Sequence, residues 1–139
     1  MIERILNEEE ASICDDLLTQ LILDEKQYDN TIDENPKVKD FYKNMIVNKD
    51  FYLLAFKEDN IIKGYLFLKK MDRVFFIDAL YVSKNNRRKG IASSLIKEAL
   101  SIAGNNPIEI NVLLANKEAY NLYKKFGFND FKVTMRKDN

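Results

Sequence analysis

Val74-Phe75-Phe76-Ile77-Asp78-Ala79-Leu80-Tyr81-Val82, followed within a few residues by Arg87-Arg88-Lys89-Gly90-Ile91-Ala92-Ser93, decides how the chain is read. The first run is apolar at nearly every position, as in a strand covered on both faces. The second opens a helical pattern that continues to about Ala103, with Ile91, Leu95, Ile96, Ala99, Ile102 and Ala103 on one face. A strand, a basic turn holding a glycine and then a helix start together build an anion site. The first turn of a helix carries unpaired N–H groups and the positive end of the macrodipole. Small residues such as Gly90, Ala92 and Ser93 let a phosphate approach that backbone. Lys84, Arg87, Arg88 and Lys89 add charge where a polyphosphate needs it.

Outward from this stretch, the period of the apolar residues changes twice. Phe51–Phe56, Ile61–Leu68 and Val74–Val82 read as three strands in an antiparallel meander, joined by the polar turns Lys57–Asn60 and Met71–Arg73. Downstream, Gly104 and Pro107 close the helix, and alternation of Ile108, Ile110, Val112 and Leu114 predicts a strand over Ile108–Ala115. Strand, helix, strand implies a crossover between parallel or neighbouring strands of one mixed sheet. Upstream, Ile2–Leu6 reads as a short strand. A helix over Glu8–Glu25 follows, capped by Asn7 with Glu10 completing an approximate capping box. Cys14 falls on its apolar stripe as a small core residue. A second helix is expected after Asn35-Pro36, running to about Val47.

The chain has 139 residues and 46% hydrophobic content, so one domain over 1–139 with a sizeable core is expected. No apolar run approaches the roughly 20 residues needed to span a bilayer, and Met1-Ile2-Glu3-Arg4 lacks a signal-peptide pattern. These features predict a cytoplasmic protein with no membrane partner. A single cysteine excludes an intramolecular disulfide and a Cys-rich metal site. Histidine is absent altogether, which removes the commonest general base and the commonest zinc ligand. Chemistry must come from carboxylates, tyrosines, lysines or the backbone. Formal net charge is zero, yet residues 1–35 hold 11 acids against two bases. An acidic front and a basic back suit a site that takes a polyanion at one end and a cation at the other. Zero net charge speaks against a nucleic-acid partner.

Two further places carry chemistry. Asp78 interrupts an otherwise apolar strand, where an unpaired buried carboxylate would cost several kcal/mol. It is therefore expected to be paired, hydrated or facing a cavity, and a carboxylate so placed often has a raised pKa, useful to a general base. Asn116-Lys117-Glu118-Ala119-Tyr120-Asn121-Leu122-Tyr123-Lys124-Lys125-Phe126-Gly127-Phe128 reads as a helix with an Asn N-cap and a glycine stop. Ala119, Leu122, Tyr123 and Phe126 share its apolar face, so periodicity alone makes Tyr123 a core aromatic.

Arg87-x-x-Gly90-x-Ala92 after a hydrophobic strand resembles the pyrophosphate loop of the GCN5-related N-acetyltransferases (GNAT). Asn116, Ala119, Leu122, Tyr123, Gly127 and Phe128 resemble the second signature of the same family. One helix and one strand lie between the two motifs, as in that family, and the resemblance covers roughly Phe51 to Arg136. It implies an α/β (α+β) fold, with a mixed and mostly antiparallel sheet of about six or seven strands and about four helices. That sheet would splay open between its fourth and fifth strands, with CoA in the gap.

The resemblance further implies an acetyl-CoA-dependent N-acetyltransferase that needs no metal, acting on a primary amine of a small molecule or peptide in a ternary complex. Backbone groups of Leu80, Tyr81 and Val82 would pair with the pantetheine arm, and a backbone N–H near Leu80 would polarise the acetyl carbonyl. Arg87, Arg88, Lys89, Gly90, Ile91, Ala92 and Ser93 would hold the pyrophosphate. Asn116 would contact the pantetheine arm and Tyr123 would protonate the leaving thiolate; any dedicated base would be Asp78, as on the corresponding strand of some relatives, an acid of the front helices or a water chain. The acceptor pocket of such proteins is built by the front helices and their connection, here with Asp24, Glu25, Tyr28 and Asp29. Homodimers are common in similar proteins. The alternative is an inactive acyl-CoA-binding regulatory module.

Overall fold

The computed structural model describes residues 1–139. The element order is β1 (Ile2–Arg4), α1 (Glu8–Glu25), α2 (Phe41–Met45), β2 (Phe51–Glu58), β3 (Ile61–Met71), β4 (Val74–Val82), α3 (Ile91–Ala103), β5 (Ile108–Ile110) and α4 (Lys117–Lys125). One sheet runs in the order β1-β2-β3-β4-β5, antiparallel except for the parallel pair β4–β5. Each of its faces buries its own apolar cluster. On one face, Leu54, Leu66, Phe75 and Ile77 pack with Leu95, Ile96 and Ala99 of α3. On the other, Leu53, Tyr65, Phe67 and Tyr81 pack with Ala11 and Cys14 of α1 and Tyr42 of α2. Cys14 is a core residue whose thiol is pushed up to about 12 by burial.

The front helix starts where its capping chemistry puts it. Asn7 Oδ1 accepts from the Glu10 N–H at 2.8 Å, and Asn7 Nδ2 donates to Glu10 Oε1 at 2.7 Å. The second helix is shorter than expected, with residues 36–40 outside it. Asp40 adopts a left-handed φ of +57°, and the Tyr42 N–H donates at 3.0 Å to Oδ1 of buried Asp15. A carboxylate from α1 thus takes a donor of the first turn of α2, and the proline-led segment before it stays extended. Tyr42 and Tyr65 join their hydroxyls at 2.8 Å in the core, where burial raises the pKa of both.

The middle of β4 decides the shape of the site. In the β3–β4 ladder Phe67 faces Ala79 and Leu68 faces Ile77, so Asp78 is the extra residue of a β-bulge. The bulge reverses the facing of the strand. Phe75 and Ile77 belong to the α3-side cluster, whereas Ala79 and Tyr81, which simple alternation would place beside them, belong to the α1-side cluster. Pairing with β5 stops at the same point: Phe75, Phe76 and Ile77 face Ile108, Glu109 and Ile110, and nothing pairs further along. The sheet therefore opens between its fourth and fifth strands, as expected.

Two expectations about the sheet are corrected. The sheet has five strands rather than six or seven. Its last strand ends at Ile110 rather than Ala115, because the bulge turns β4 away and removes the ladder partner. The segment after Phe128 keeps a strand-like alternation in Phe131, Val133 and Met135, yet joins no ladder and leaves those side chains exposed. A three-residue edge offers it little to pair with. Side chains hold it instead, Arg136 to Asp29 and Asp130 to Tyr120 and Lys124.

Candidate active site

The opening in the sheet becomes a cavity of about 330 Å³. Its wall comes from four places: Leu21, Asp24, Glu25 and Tyr28 around the end of α1; Leu80, Tyr81 and Val82 of β4; Arg87, Arg88 and Gly90 to Ser93; and Asn116, Ala119 and Leu122 of α4. Residues far apart in sequence meet here because β4 diverges from β5 just before α3 begins. A second hollow of about 400 Å³ lies between Asp15 and Asp40, polar but for Val38. It contains none of the motif residues and no aromatic group, whereas the first gathers both.

The basic turn has the geometry of an anion cradle. Arg88 and Gly90 both adopt left-handed φ, +64° and +79°. Gly90 is the N-cap residue of α3 and, lacking a side chain, closes none of the helix's free donors; no acid stands in its first turn. The N–H groups at the start of α3 are thus left to whatever occupies the cavity, together with the positive end of the dipole. The same cavity is lined by the end of α1, the negative pole of that helix, with Asp24 and Glu25. The cavity is bipolar. Along one side run Leu80 to Val82, whose outward backbone groups have no strand partner beyond the bulge.

Gly64 seats this arrangement. It pairs with Val82, and a Cβ there would stand 2.9 Å from the Tyr81 carbonyl oxygen and 3.2 Å from Ile91 Cγ2. Only a glycine lets β3, the end of β4 and the first residue of α3 come this close.

A model of the acetyltransferase (GNAT) family matches residues 16–128. The chain belongs to that family. Among solved GNAT-like folds, a tetramutant of the BH1408 protein from Bacillus halodurans aligns with a TM-score of 0.86 at 18% identity, covering 100% of this chain and 99% of that one. The aminoglycoside N-acetyltransferase AAC(6')-Iy in complex with CoA gives 0.73 at 14% identity, with the same coverage. A ribosomal-protein-alanine N-acetyltransferase from Brucella melitensis biovar Abortus 2308 gives 0.72 at 17%, covering 99% and 98%. These likenesses establish the fold. No curated protein matches the sequence.

The GNAT motif residues do not all stand where the sequence suggested. Arg87 is turned away from the helix start: Nη2 donates to Asp24 Oδ2 at 2.8 Å, Nε donates to the Val82 carbonyl at 2.9 Å, and the guanidinium lies 5.2 Å from the Tyr81 ring centre. Lys84 also approaches Asp24, at 3.9 Å. Asp24 is therefore the anchor of the basic turn rather than a free acceptor-side charge. Lys89 is exposed and outside the cavity wall, which leaves Arg88 as the cation beside the bare helix start. Asn116 caps α4 by accepting from the Ala119 N–H at 3.2 Å, so its Oδ1 is engaged.

Asp29 lies outside the wall, clamped by Arg136 at 3.0 and 3.2 Å and by Thr31. Arg136 first, then Thr31, hold its carboxyl far below the usual range. Asp78 is paired and solvent-exposed rather than facing the cavity: it sits on the bulge, 3.7 Å from Lys69 Nζ, and does not line the wall. An extra residue in a bulge is pushed out of the ladder, which is why an ionised side chain is tolerated in so apolar a strand.

Tyr123 packs on the α3-side cluster, edge-on to Phe128 at 6.0 Å, behind the wall formed by its neighbours Ala119 and Leu122. Its hydroxyl is pushed up to about 12, by burial first and then by the Glu25 carboxylate. Glu25 is itself raised above its ordinary 4.5, by burial and then by Asp29. Glu118, in the first turn of α4, also lines the cavity, and sequence reading passed over it as a surface charge.

Proposed function

We propose that this protein transfers an acetyl group from acetyl-CoA to a primary amine by direct attack within a ternary complex. The observation that carries this reading is the convergence of a bare, basic helix start and an unpaired strand edge on one cavity, with the part-buried Tyr123 behind its α4 wall. The fit to CoA is tested by the cradle itself. The start of α3 has free donors, small residues at Gly90, Ala92 and Ser93, and Arg88 beside them, as a pyrophosphate requires. The edge of Leu80 to Val82 has no strand partner, and apart from the Val82 carbonyl, which accepts from Arg87, its outward groups would meet an amide-bearing arm as an added strand does.

Acetyl-CoA supplies an activated acyl group on a good leaving thiolate, so much of the rate comes from positioning. A backbone N–H near Leu80 would polarise the acyl oxygen. Tyr123, kept protonated throughout the physiological range, is the proton donor for the departing sulfur. Asn116 would hold the arm through the part of its amide not used in capping.

Thiol release from acetyl-CoA against polyamines, aminoglycosides, amino acids and short peptides tests the reading. Tyr123→Phe should lower kcat by roughly 10²–10⁴ with little change in KM for acetyl-CoA. Acetyl-CoA protection against thermal unfolding without turnover by any amine would identify a binding module instead. Neither protection nor turnover would sink the proposal.

A further inference from the structure

The acids around the cavity differ in whether they are already spoken for. Asp24 is held by Arg87 and Lys84, and Asp29 by Arg136 and Thr31. Asp78 is paired with Lys69 away from the wall. Glu118 is exposed to solvent at the rim. Glu25 alone is part-buried in the wall with neither an ion-pair partner nor a hydrogen-bond donor, close enough to Tyr123 for its charge to act on that hydroxyl.

We infer that Glu25 is the base that takes a proton from the substrate's ammonium group. This step rests on the acetyl-transfer reading above. The ammonium R–NH₃⁺ enters the acidic pole and gives one proton to the Glu25 carboxylate, leaving a neutral amine. The nitrogen lone pair forms a C–N bond to the acetyl carbon, and the C–S bond breaks with its electron pair on sulfur. Tyr123 gives its proton to that sulfur, and the tyrosinate takes back the surplus proton of the new amide nitrogen. Glu25 then loses its proton to solvent, so the net change is R–NH₃⁺ plus acetyl-CoA to amide, CoA–SH and H⁺.

The surroundings favour this assignment over a merely attractive charge. From α1 and the turn after it, Asp24, Tyr28 and Asp29 stand around Glu25, and Asp29 acts on it directly. β4 contributes Tyr81, and the turn before α3 contributes Arg87 and Arg88. From α4 come Glu118 at the rim and Tyr123, whose hydroxyl feels the Glu25 charge. Arg87 is committed to Asp24, so no fixed cation neutralises Glu25. Burial first, and then the Asp29 carboxylate, raise its proton affinity above the ordinary value, the direction a base needs.

Two readouts test this, and only one needs turnover. An acid whose folded pKa is raised costs the folded state nothing below 4.5, and costs it progressively more as pH rises through the folded value. Glu25→Gln should therefore melt higher than the wild type at pH 7 to 8 and equally at pH below 4.5. Equal melting at pH 8 would overturn the claim that the carboxylate is held there uncompensated.

With an amine that the wild type acetylates, Glu25→Gln should lose at least 30-fold in kcat/KM at pH 7. The acidic limb set by Glu25 should vanish, and the residual rate should climb with the free-amine fraction alone. A rate loss with the wild-type pH profile intact would overturn the proton role, and so would no loss. If Asp78→Asn removes the limb and Glu25→Gln does not, the assignment passes to Asp78. A wild type that turns over no amine fails the acetyl-transfer reading itself, a result distinct from any of these.

Discussion

The three long helices of this molecule begin in two different ways. α1 and α4 start on asparagines whose side chains accept an N–H three residues on, and both place acids in the first turn: Glu8, Glu9 and Glu10 in one, Glu118 in the other. α3 starts on Gly90, has no side-chain cap and no first-turn acid, and follows Arg87, Arg88 and Lys89. A polar N-cap stabilises a helix by about 1 kcal/mol over alanine and by a few tenths of a kcal/mol over glycine. α3 forgoes that gain in the helix whose Leu95, Ile96 and Ala99 make much of one core. The difference separates helix starts that serve the fold from one kept open for an anion.

The sharpest way to break this contrast is to give α3 what α1 already has. Ser93→Glu places an acid at the third helical position, where Glu10 stands in α1. It should stabilise the helix by about 0.3–1 kcal/mol through the dipole. Acetyl-CoA affinity should fall by more than 10²-fold, since an anion now faces the phosphates. Calorimetric titration with thermal melting checks both signs in one sample. A variant that binds acetyl-CoA as the wild type does would remove the anion reading of α3.

A smaller effect is expected from the residue that seats α3. Gly64→Ala should destabilise the protein by about 1–3 kcal/mol, because the added methyl meets the Tyr81 carbonyl before it meets anything movable. Ile91 is the next contact, so the bare helix start should shift with it, raising KM for acetyl-CoA several-fold. Loss of stability with KM unchanged would show that Gly64 supports the sheet alone.

Much of this was legible in the sequence because it is local. The Asn7–Glu10 pair, the limits of α1 and α3, and the Asn116 cap all follow from residues within a turn of one another. What stayed hidden depends on contacts across the chain. Phe75, Ile77, Ala79 and Tyr81 are all apolar, so the reversal of facing at Asp78 leaves no mark on the alternation. For the same reason nothing marked Asp78 as the residue that the bulge puts outside the ladder. Arg87 looked like a phosphate ligand because nothing near it in sequence announces Asp24, 63 residues away. The acids of residues 1–35 looked alike until Arg87 and Arg136 were seen to take Asp24 and Asp29 and leave Glu25. Asp15 gave no sign that it would set the start of α2.

The mildest perturbation works on α1, the structural member of the comparison. Asn7→Ala should cost about 1 kcal/mol, lowering the melting temperature by a few degrees, and leave acetyl-CoA affinity unchanged. Glu10→Gln separates charge from capping at the same helix start, because an amide keeps an acceptor for the Asn7 side chain. The Glu10 carboxyl is held below its ordinary 4.5, first by Lys57 and then by Asn7 against the effect of burial. A carboxylate with a depressed folded pKa contributes stability that is present above 4.5 and disappears as pH falls through the folded value. The wild type should therefore exceed Glu10→Gln by a few tenths to about 1 kcal/mol at pH 7, the range of a partly exposed ion pair. The gap should close towards pH 3, the opposite course to that expected of Glu25→Gln, whose advantage is absent below 4.5 and grows as pH rises above it. Urea melts of the two variants across the same pH series would show whether charge at α1's start serves stability while charge at its end is carried at stability's expense. A Glu10→Gln gap that persists into acid would mean that Glu10 acts through packing, and that the line between the two kinds of helix start is not electrostatic.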